Sequence, residues 1–241
     1  MWSDEFKGPA GSSPDPTKWT LEEGGGIWGG GEELQDYTAR PSNVSLDGKG
    51  DLVITARKEN YGGFPYTSAR VETQGKFSFT YGRIEARMKL PEGQGIYPIF
   101  WLLGSNINEV RWPTSGEIDV MESRGQYPST FMGHIHGPEP GNPELDANWG
   151  LGETVKSSSS LTNWHVYGVE WRANAVTFLF DGKPYTPTYT PAMLGAGQTW
   201  TLNHPFFLLF NLVVGGEFAG PPNEQTPFPA QMLVNWVRVY S

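Results

Sequence analysis

The chain has 241 residues and a formal net charge of −9, and 37% of its residues are hydrophobic. Its 13 Phe, 10 Tyr and 10 Trp residues are enough to build a large core, which excludes an intrinsically disordered chain. The acidic charge disfavours a nucleic-acid partner, and the absence of cysteine excludes disulfides, thiolate metal sites and a cysteine nucleophile.

Alternation of polar and apolar residues predicts a protein built from β-strands. The clearest case is the segment 83–90, in which polar and apolar residues alternate at every position. In chain order we predict strands at residues 51–56, 75–81, 83–90, 166–171, 175–180 and 233–240. No sustained helical pattern is present, and only a turn of helix is expected near residues 191–194.

The spacing of turns and the lack of a linker predict one domain, residues 1–241. Glycine and proline residues (31 and 20) separate the predicted strands throughout the chain. Two packed antiparallel sheets are the simplest architecture for such a pattern. The longest apolar run, 206–214, is too short for a membrane-spanning helix, which takes about 20 residues. We therefore expect no membrane partner.

Three acids in one short stretch form the most informative feature of the sequence. In a strand, Glu117 and Asp119 face one side while Ile118 and Val120 face the other. Strict alternation would send Glu122 inward, where an unpaired charge is costly. A β-bulge at Val120 and the following residue returns Glu122 to the acidic face, and we predict one there.

Two interpretations of this acidic face are open. Acids on a strand are often solvated or bind a cation. The alternative is a retaining glycosidase, which uses one ionised carboxylate as nucleophile and one protonated carboxyl as acid. Repulsion within such a cluster keeps one carboxyl protonated near neutral pH, and the titration then belongs to the whole cluster.

Aromatic and hydrogen-bonding residues flank the acids, as sugar binding requires. Trp112 lies in a loop-like stretch and is expected to be exposed, whereas Trp101 is compatible with either sugar stacking or core packing. His134 and His136 alternate on one face of a short predicted strand. Two histidines at this spacing could bind zinc, but no third ligand is evident nearby. A hydrogen-bonding role for His136 fits the sequence better.

The stretch Glu117–Glu122 has the form E-x-D-x-x-E and resembles the catalytic motif of glycoside hydrolase family 16. The longer, bulged spacing is similar to the laminarinase branch, the endo-β-1,3-glucanases, whereas lichenases have E-x-D-x-E. The likeness extends along nearly the whole chain, through residues 2–6, 33–38, 40–44, 81–87, 91–104, 112–122, 135–138, 164–171, 206–216 and 232–240.

The resemblance implies an all-β jelly-roll sandwich of two antiparallel sheets with a concave substrate cleft. It also implies a retaining endo-β-1,3-glucanase that needs no catalytic cofactor. By position, Glu117 would be the nucleophile, Asp119 the assisting acid and Glu122 the acid/base. Positions that line the sugar sites of relatives are matched by Asn43, Arg83, Trp101, Trp112 and His136.

Two further features follow from the resemblance. Many relatives carry a structural calcium ion, whose ligand positions correspond to Glu5, Gly48 and Asn235. Relatives usually have Asp where this chain has Asn235, so we expect weaker calcium binding. The glycine-rich segment 24–31 also departs from relatives, which more often place an Asn after its Trp-Gly pair, and the departure bears on the glycone end of the cleft.

The expected partner is a β-glucan, either laminarin-type or mixed-linkage, bound by a monomer. The resemblance implies a secreted protein, although the first residues show no basic and apolar signal-peptide pattern. The alternatives are a non-catalytic β-glucan-binding protein and a hydrolase of another β-linked polysaccharide such as agarose or carrageenan. Binding-only relatives usually lack the three acids that this chain retains.

Overall fold

The computed structural model describes residues 1–26, 33–141 and 147–240. These residues form two β-sheets, of eleven and seven strands, that pack face to face around one large apolar core. The helical elements that they contain are short: α1 (Ile107–Val110), α2 (Gly216–Ala219) and a 3₁₀ turn at Pro191–Met193. The all-β jelly-roll sandwich predicted from the sequence is confirmed.

The seven-stranded sheet is antiparallel throughout. From one edge to the other it consists of β13 (Asn148–Lys156), β12 (Thr130–Pro138), β11 (Glu117–Ser123), β10 (Ile96–Gly104), β17 (Phe206–Val214), β8 (Arg70–Glu72) and β2 (Thr20–Glu22). The acid-bearing strand β11 therefore lies near the middle of this sheet, between β10 and β12.

The eleven-stranded sheet covers the other side of the core. Its main path consists of β16 (Lys183–Pro184), β15 (Ala175–Phe180), β14 (His165–Arg172), β9 (Gly82–Lys89), β18 (Ala230–Tyr240), β6 (Leu52–Tyr61), β7 (Phe64–Ser68), β4 (Gln35–Tyr37) and β3 (Gly24–Gly25). Strand β1 (Trp2–Asp4) pairs with β18, and β5 (Val44–Leu46) pairs with β6. The pairing of β4 with β7 is parallel, unlike the predicted antiparallel arrangement.

The predicted period-2 pattern sets the inner face of each sheet. On β9, Ile84, Ala86 and Met88 are fully buried in the core. On β11, Ile118 and Val120 are also fully buried, and they hold the acid-bearing strand against the interior. Burial of such side chains contributes about 1.5–3 kcal/mol each for the larger aliphatic residues.

One predicted strand is wrong. Residues 74–76 form a turn, with Gly75 at φ 72°, and the segment that follows makes only an isolated bridge between Phe79 and Phe206. Phe77 and Phe79 stack on each other, and Phe77 also stacks on Trp2. The alternating aromatics thus close one part of the core without pairing along a strand.

The outer face of the seven-stranded sheet, formed by the outward side chains of β8, β17, β10, β11 and β12, is called the cleft face below. A second, smaller apolar cluster lies on it and consists of Leu103, Phe207 and Leu209. Trp101 and Trp112 pack against this cluster while remaining partly exposed. The cluster therefore supports both tryptophans on the side of the sheet that carries the acids.

Candidate active site

The predicted bulge in β11 is confirmed by the register of its neighbours. Asp119 is the partner of Trp101 on β10, and Met121 is the partner of the adjacent Phe100, so Val120 has no partner on that strand. The register with β12 shifts at the same place. The extra residue changes the parity of the strand and brings Glu122 back to the cleft face.

Asp119 lies at the centre of the acid cluster and is only 2% exposed. Burial, followed by the charges of Glu117 and Glu122, raises the pKa of Asp119 well above its ordinary value. A side-chain hydrogen bond with Glu117 acts in the same direction. Asp119 is therefore held in its neutral form, in which its hydroxyl can donate to the Glu117 carboxylate.

Glu117 receives a second hydrogen bond from the loop that precedes β11. The indole Nε1–H of Trp112 donates to its Oε2. The ring of Trp112 packs on the apolar cluster of the cleft face, which fixes the position of this donor. A charged carboxylate with two donors keeps a defined orientation, which a nucleophile requires.

Glu122 is held by two neighbouring strands. Tyr97 on β10 donates its phenolic hydrogen to Oε1, and His134 Nδ1 on β12 lies 3.3 Å from Oε2. Burial, followed by the charge of Glu122, raises the pKa of Tyr97, so the phenol stays a donor at neutral pH. Neither residue was assigned to Glu122 from the sequence. Alternation along β10 could have indicated the role of Tyr97, because it places Tyr97 on the same face of the strand as Trp101.

His136 links the centre of the cluster to the edge strand β13. Its Nε2 lies 3.2 Å from Asp119 Oδ2, and its Nδ1 is hydrogen-bonded at 2.8 Å to Asn148 Oδ1. Glycines 150 and 152 lie opposite His136 and His134 on β13. A Cβ at Gly152 would collide with the His134 ring, so glycine leaves the space that this imidazole occupies.

Trp101 is part of a polar network on the cleft face. Its Nε1 donates to Asn211 Oδ1 at 2.7 Å, and Asn211 Nδ2 donates to the Tyr37 hydroxyl at 3.0 Å. The guanidinium carbon of Arg70 lies 4.9 Å from the centre of the Trp101 ring. Of the two interpretations left open for Trp101, the structure favours a place in the cleft, with the ring resting on the apolar cluster.

A second acidic group accompanies Arg70, and the sequence analysis missed it. Arg70 Nε lies 2.7 Å from Glu22 Oε2 and 3.8 Å from Glu72 Oε2. Burial, then the negative charge of Glu22, raises the pKa of Glu72 to about 7. No short motif connects these residues, because β2 and β8 meet only in the folded sheet.

Two predicted sugar-binding residues do not lie in the cleft. Arg83 is on β9 of the eleven-stranded sheet, on the opposite side of the core from the acids. Asn43 is fully buried; its Nδ2 donates to the Thr55 carbonyl and to Thr67 Oγ1. The assignment of Arg83 and Asn43 to the cleft face is therefore wrong. A match to a sequence position in relatives does not show in which sheet a residue lies or toward which face its side chain points.

Residues 27–31 of the glycine-rich segment lie outside the described residues. A cavity of about 530 Å³ has Tyr97 in its wall, and the phenol of Tyr97 donates to Glu122. Its lining consists of Glu33, Tyr97, Arg124, Val213, Gly216, Glu217 and Phe218. The tyrosine that contacts the proposed acid/base thus also lines an open space.

The residues proposed for calcium do not fit a cation. Both carboxylate oxygens of Glu5 accept hydrogen bonds from Arg238, at 2.8 and 2.9 Å. Asn235 Oδ1 accepts from Arg87, and its Nδ2 donates to Asp51 Oδ1. Two guanidinium groups therefore take the oxygens that a calcium ion would need.

Gly48, the third proposed ligand position, adopts φ 79° beside the Ala10 backbone. Within the part of the chain that the structure describes, no three His, Asp or Glu side chains form a group suited to a metal ion. The calcium site is not retained.

Residues 31–238 match the model of glycosyl hydrolases family 16. The chain belongs to this family. It is 38% identical over its full length to a β-glucanase of Rhodothermus marinus, of which it covers 84%. It is also 38% identical over its full length to the clotting factor G alpha subunit of Tachypleus tridentatus, but spans only 33% of that protein.

A solved structure is similar to the whole of this chain in three dimensions. The endo-β-1,3-glucanase of Pyrococcus furiosus superimposes with a TM-score of 0.88 at 41% identity, covering 100% of this chain and 93% of that one. The family 16 chain described here is thus a glycosidase on a jelly-roll sandwich. Within residues 1–26, 33–141 and 147–240 it has no helix long and apolar enough to span a bilayer.

Proposed function

We propose that this family 16 glycosidase is an endo-acting hydrolase of β-1,3-glucan that works by retaining double displacement. The observation that carries the proposal is that Glu117 and Glu122 share one face of a bulged strand, with the buried, neutral Asp119 between them. The names of the Rhodothermus β-glucanase and the Pyrococcus endo-β-1,3-glucanase support the choice of substrate. Mixed-linkage β-1,3-1,4-glucan is the second substrate that we propose.

In the first step, Glu117 attacks the anomeric carbon while protonated Glu122 gives its proton to the glycosidic oxygen. The C–O bond to the leaving sugar breaks as the bond to the Glu117 oxygen forms. Trp112 and Asp119 donate to Glu117 and hold the attacking carboxylate in place. The leaving sugar departs with the proton from Glu122, which becomes a carboxylate.

In the second step, the Glu122 carboxylate takes a proton from a water molecule, and the hydroxide displaces Glu117 from the anomeric carbon. Two inversions give net retention. The hydrogen bond from Tyr97 stabilises Glu122 in the charged form that this step requires. The close contact of His134 orients the other carboxylate oxygen.

We assign substrate binding to residues of the cleft face. Trp101 and Trp112 offer partly exposed aromatic surface for the apolar faces of sugar rings. His136 and Arg70 supply polar groups for hydroxyls close to these rings. Arg70 replaces Arg83 as the arginine proposed for the cleft.

The remaining features of the proposal concern organisation. We propose a single catalytic domain that acts as a monomer and needs no cofactor for catalysis. The one apolar core shared by both sheets supports a single domain. A secreted location follows from the substrate, because a polysaccharide is too large to enter a cell intact.

The experiment is product analysis on laminarin, lichenan and agarose side by side, with the anomeric form of the first product followed by NMR. We expect rapid release of internal fragments from laminarin, with the β-anomer appearing first. Glu117→Gln should lower kcat by about 10⁴-fold or more. Glu224→Gln, a change of an exposed loop glutamate, is the matched control and should leave kcat unchanged.

Two results would overturn the proposal. Laminarin that is bound with a measurable Kd but stays intact would identify a binding protein. Cleavage of agarose in preference to laminarin would identify a hydrolase of another polysaccharide.

A further inference from the structure

A second pocket opens on the other side of the molecule, at the eleven-stranded sheet. Its volume is about 430 Å³, comparable with that of the cavity lined by Tyr97. Tyr81 and Tyr240 contribute aromatic surface to its lining, and Arg83, Glu170 and Arg172 contribute charged groups. This is the same combination of aromatic and hydrogen-bonding side chains that sugars require.

The pocket is built on regular strands. Tyr240 on β18 lies directly opposite Arg83 on β9, which in turn lies opposite Glu170 on β14. The next residues along two of these strands, Ile84 and Val169, are fully buried in the core. Alternation therefore directs the three-residue row outward, away from the core and from the catalytic acids.

The aromatic part of the lining is held firmly. Trp171 is fully buried and donates its Nε1–H to the Leu202 carbonyl at 2.9 Å. The Tyr81 ring meets it edge-on, with centroids 5.1 Å apart. Tyr81 and Tyr240 are each only partly buried, so part of their surface faces the solvent. Rigid, partly exposed rings lose little conformational entropy when a ligand binds.

The charges around the pocket select a neutral ligand. Arg83 Nη2 donates to Glu85 Oε1 at 2.6 Å, and Arg83 Nη1 lies 3.8 Å from Glu170 Oε1. Arg172, which also lines the pocket, has Nη2 3.4 Å from Glu170 Oε2. The two guanidinium charges are thus balanced by the two carboxylates, and a phosphate or sulfate would gain little from them. Sugar hydroxyls can still donate to Glu170, whose side chain is 36% exposed.

We propose that this pocket is a second, non-catalytic binding site for a short stretch of neutral β-glucan. The inference rests on the proposed function, since it names the same polymer. The core separates the pocket from the acids, so a chain bound here holds the enzyme on its polymer without contacting the reacting sugar. The site would matter for long or insoluble glucan and not for short oligosaccharides.

The test uses Glu117→Gln as the parent, so that insoluble β-1,3-glucan particles stay intact. Tyr240→Ala and, separately, Glu170→Ala are added to this parent, and the fraction retained on the particles is measured. We expect the apparent Kd to weaken by about threefold or more in both variants. Lys89→Ala removes an exposed cation from the same strand as Arg83 and is the matched control, with unchanged retention.

The same substitutions in the active enzyme separate this inference from the proposed function. Tyr240→Ala and Glu170→Ala should leave kcat/KM for short soluble β-1,3-oligosaccharides unchanged, which also shows that they fold. Retention equal to that of the parent in both variants, or a parent that does not bind the particles, would overturn the second site. Failure of the unsubstituted enzyme to cleave the oligosaccharides would instead overturn the proposed function.

Discussion

Tyr97 donates its phenolic hydrogen to Oε1 of Glu122 from the neighbouring strand. The direct partner of Glu122 on β10 is Ile99, so Tyr97 reaches the carboxylate diagonally from two residues away. Diagonal neighbours in an antiparallel sheet are within reach of a long aromatic side chain. The bulge in β11 makes this pair possible, because it places Glu122 on the same face as Tyr97.

Tyr97→Phe should lower kcat/KM by about 10-fold, because the variant loses the hydrogen bond that holds Oε1 of Glu122. A hydrogen bond to a charged group is worth about 1.5 kcal/mol or more, which corresponds to about a factor of ten in rate. Steady-state kinetics on a soluble β-1,3-oligosaccharide measures the loss. Tyr127→Phe, at an exposed tyrosine, is the control. A Tyr97→Phe variant with the kcat/KM of the parent would contradict the assigned role.

Asp119→Asn should be much less damaging than loss of the nucleophile. The raised pKa of Asp119 means that its neutral form is already present, and Asn matches that form in charge and size. We expect kcat to fall by about 10- to 100-fold, well short of the roughly 10⁴-fold loss for Glu117→Gln. Steady-state kinetics on one soluble oligosaccharide compares the two variants. A loss as large as that of Glu117→Gln would show that Asp119 acts as an ionised group.

Glu72→Gln should reduce the pH dependence of stability. The pKa of Glu72 is raised to about 7 in the folded protein, so the folded state binds more protons than the unfolded state between about pH 4.5 and 7. Stability is therefore lost as pH rises through that window, by roughly 3 kcal/mol at most. Gln removes this titration, and the variant should lose less stability between pH 5 and pH 8.

Urea unfolding at the two pH values measures the effect of Glu72→Gln. Glu33 and Asp119 also have raised pKa values, but they titrate in both proteins and cancel in the comparison. Glu224→Gln is again the control, at an exposed position. An equal pH-dependent loss in parent and Glu72→Gln would show that Glu72 titrates normally.

Calcium should not stabilise the protein. Asn235 donates to Asp51 and to the Gly50 carbonyl, and the guanidinium groups of Arg87 and Arg238 occupy the neighbouring acceptors. We expect the same Tm in excess calcium and in chelator. Asn235→Asp loses two donated hydrogen bonds and places a carboxylate beside Asp51, which costs about 1–3 kcal/mol.

The Asn235→Asp loss corresponds to a Tm lower by about 2–4 °C for each kcal/mol. Calcium should recover part of it in this variant, because the substitution assembles several oxygen ligands. Differential scanning calorimetry with and without calcium measures both effects. A rise in the Tm of the unsubstituted protein on adding calcium would contradict the replacement of the ion by guanidinium groups.

The positions of the three acids could be predicted from the local sequence pattern. Alternation in β11 assigned Glu117 and Asp119 to one face, and the cost of burying Glu122 required the bulge that the structure contains. Both arguments concern neighbours along the chain, for which period-2 geometry is sufficient. The strand at residues 75–81 failed by the same argument, because residues 74–76 form a turn, Phe77 stacks on Trp2, and Phe79 makes only an isolated bridge to Phe206.

The positions of Arg70 and Arg83 could not be predicted from the local sequence pattern. Both lie on strands of similar composition, yet Arg70 contacts Trp101 in the cleft and Arg83 lies beyond the core. Alternation with a period of two residues distinguishes the two faces of a strand. It does not tell in which sheet the strand lies or which of its faces packs on the core. That assignment depends on contacts between residues far apart in sequence.

The amino-acid sequence by itself determined the all-β class, the acidic strand with its bulge and the aromatic residues around it, since each depends on short-range alternation and side-chain chemistry. The tertiary structure alone decided which arginine faces the acids, that Asn43 is buried, and that Arg87 and Arg238 take the place proposed for calcium. These outcomes depend on which strands become neighbours across the two sheets. Strand pairing is a long-range result of burying one shared core, and no local spacing encodes it.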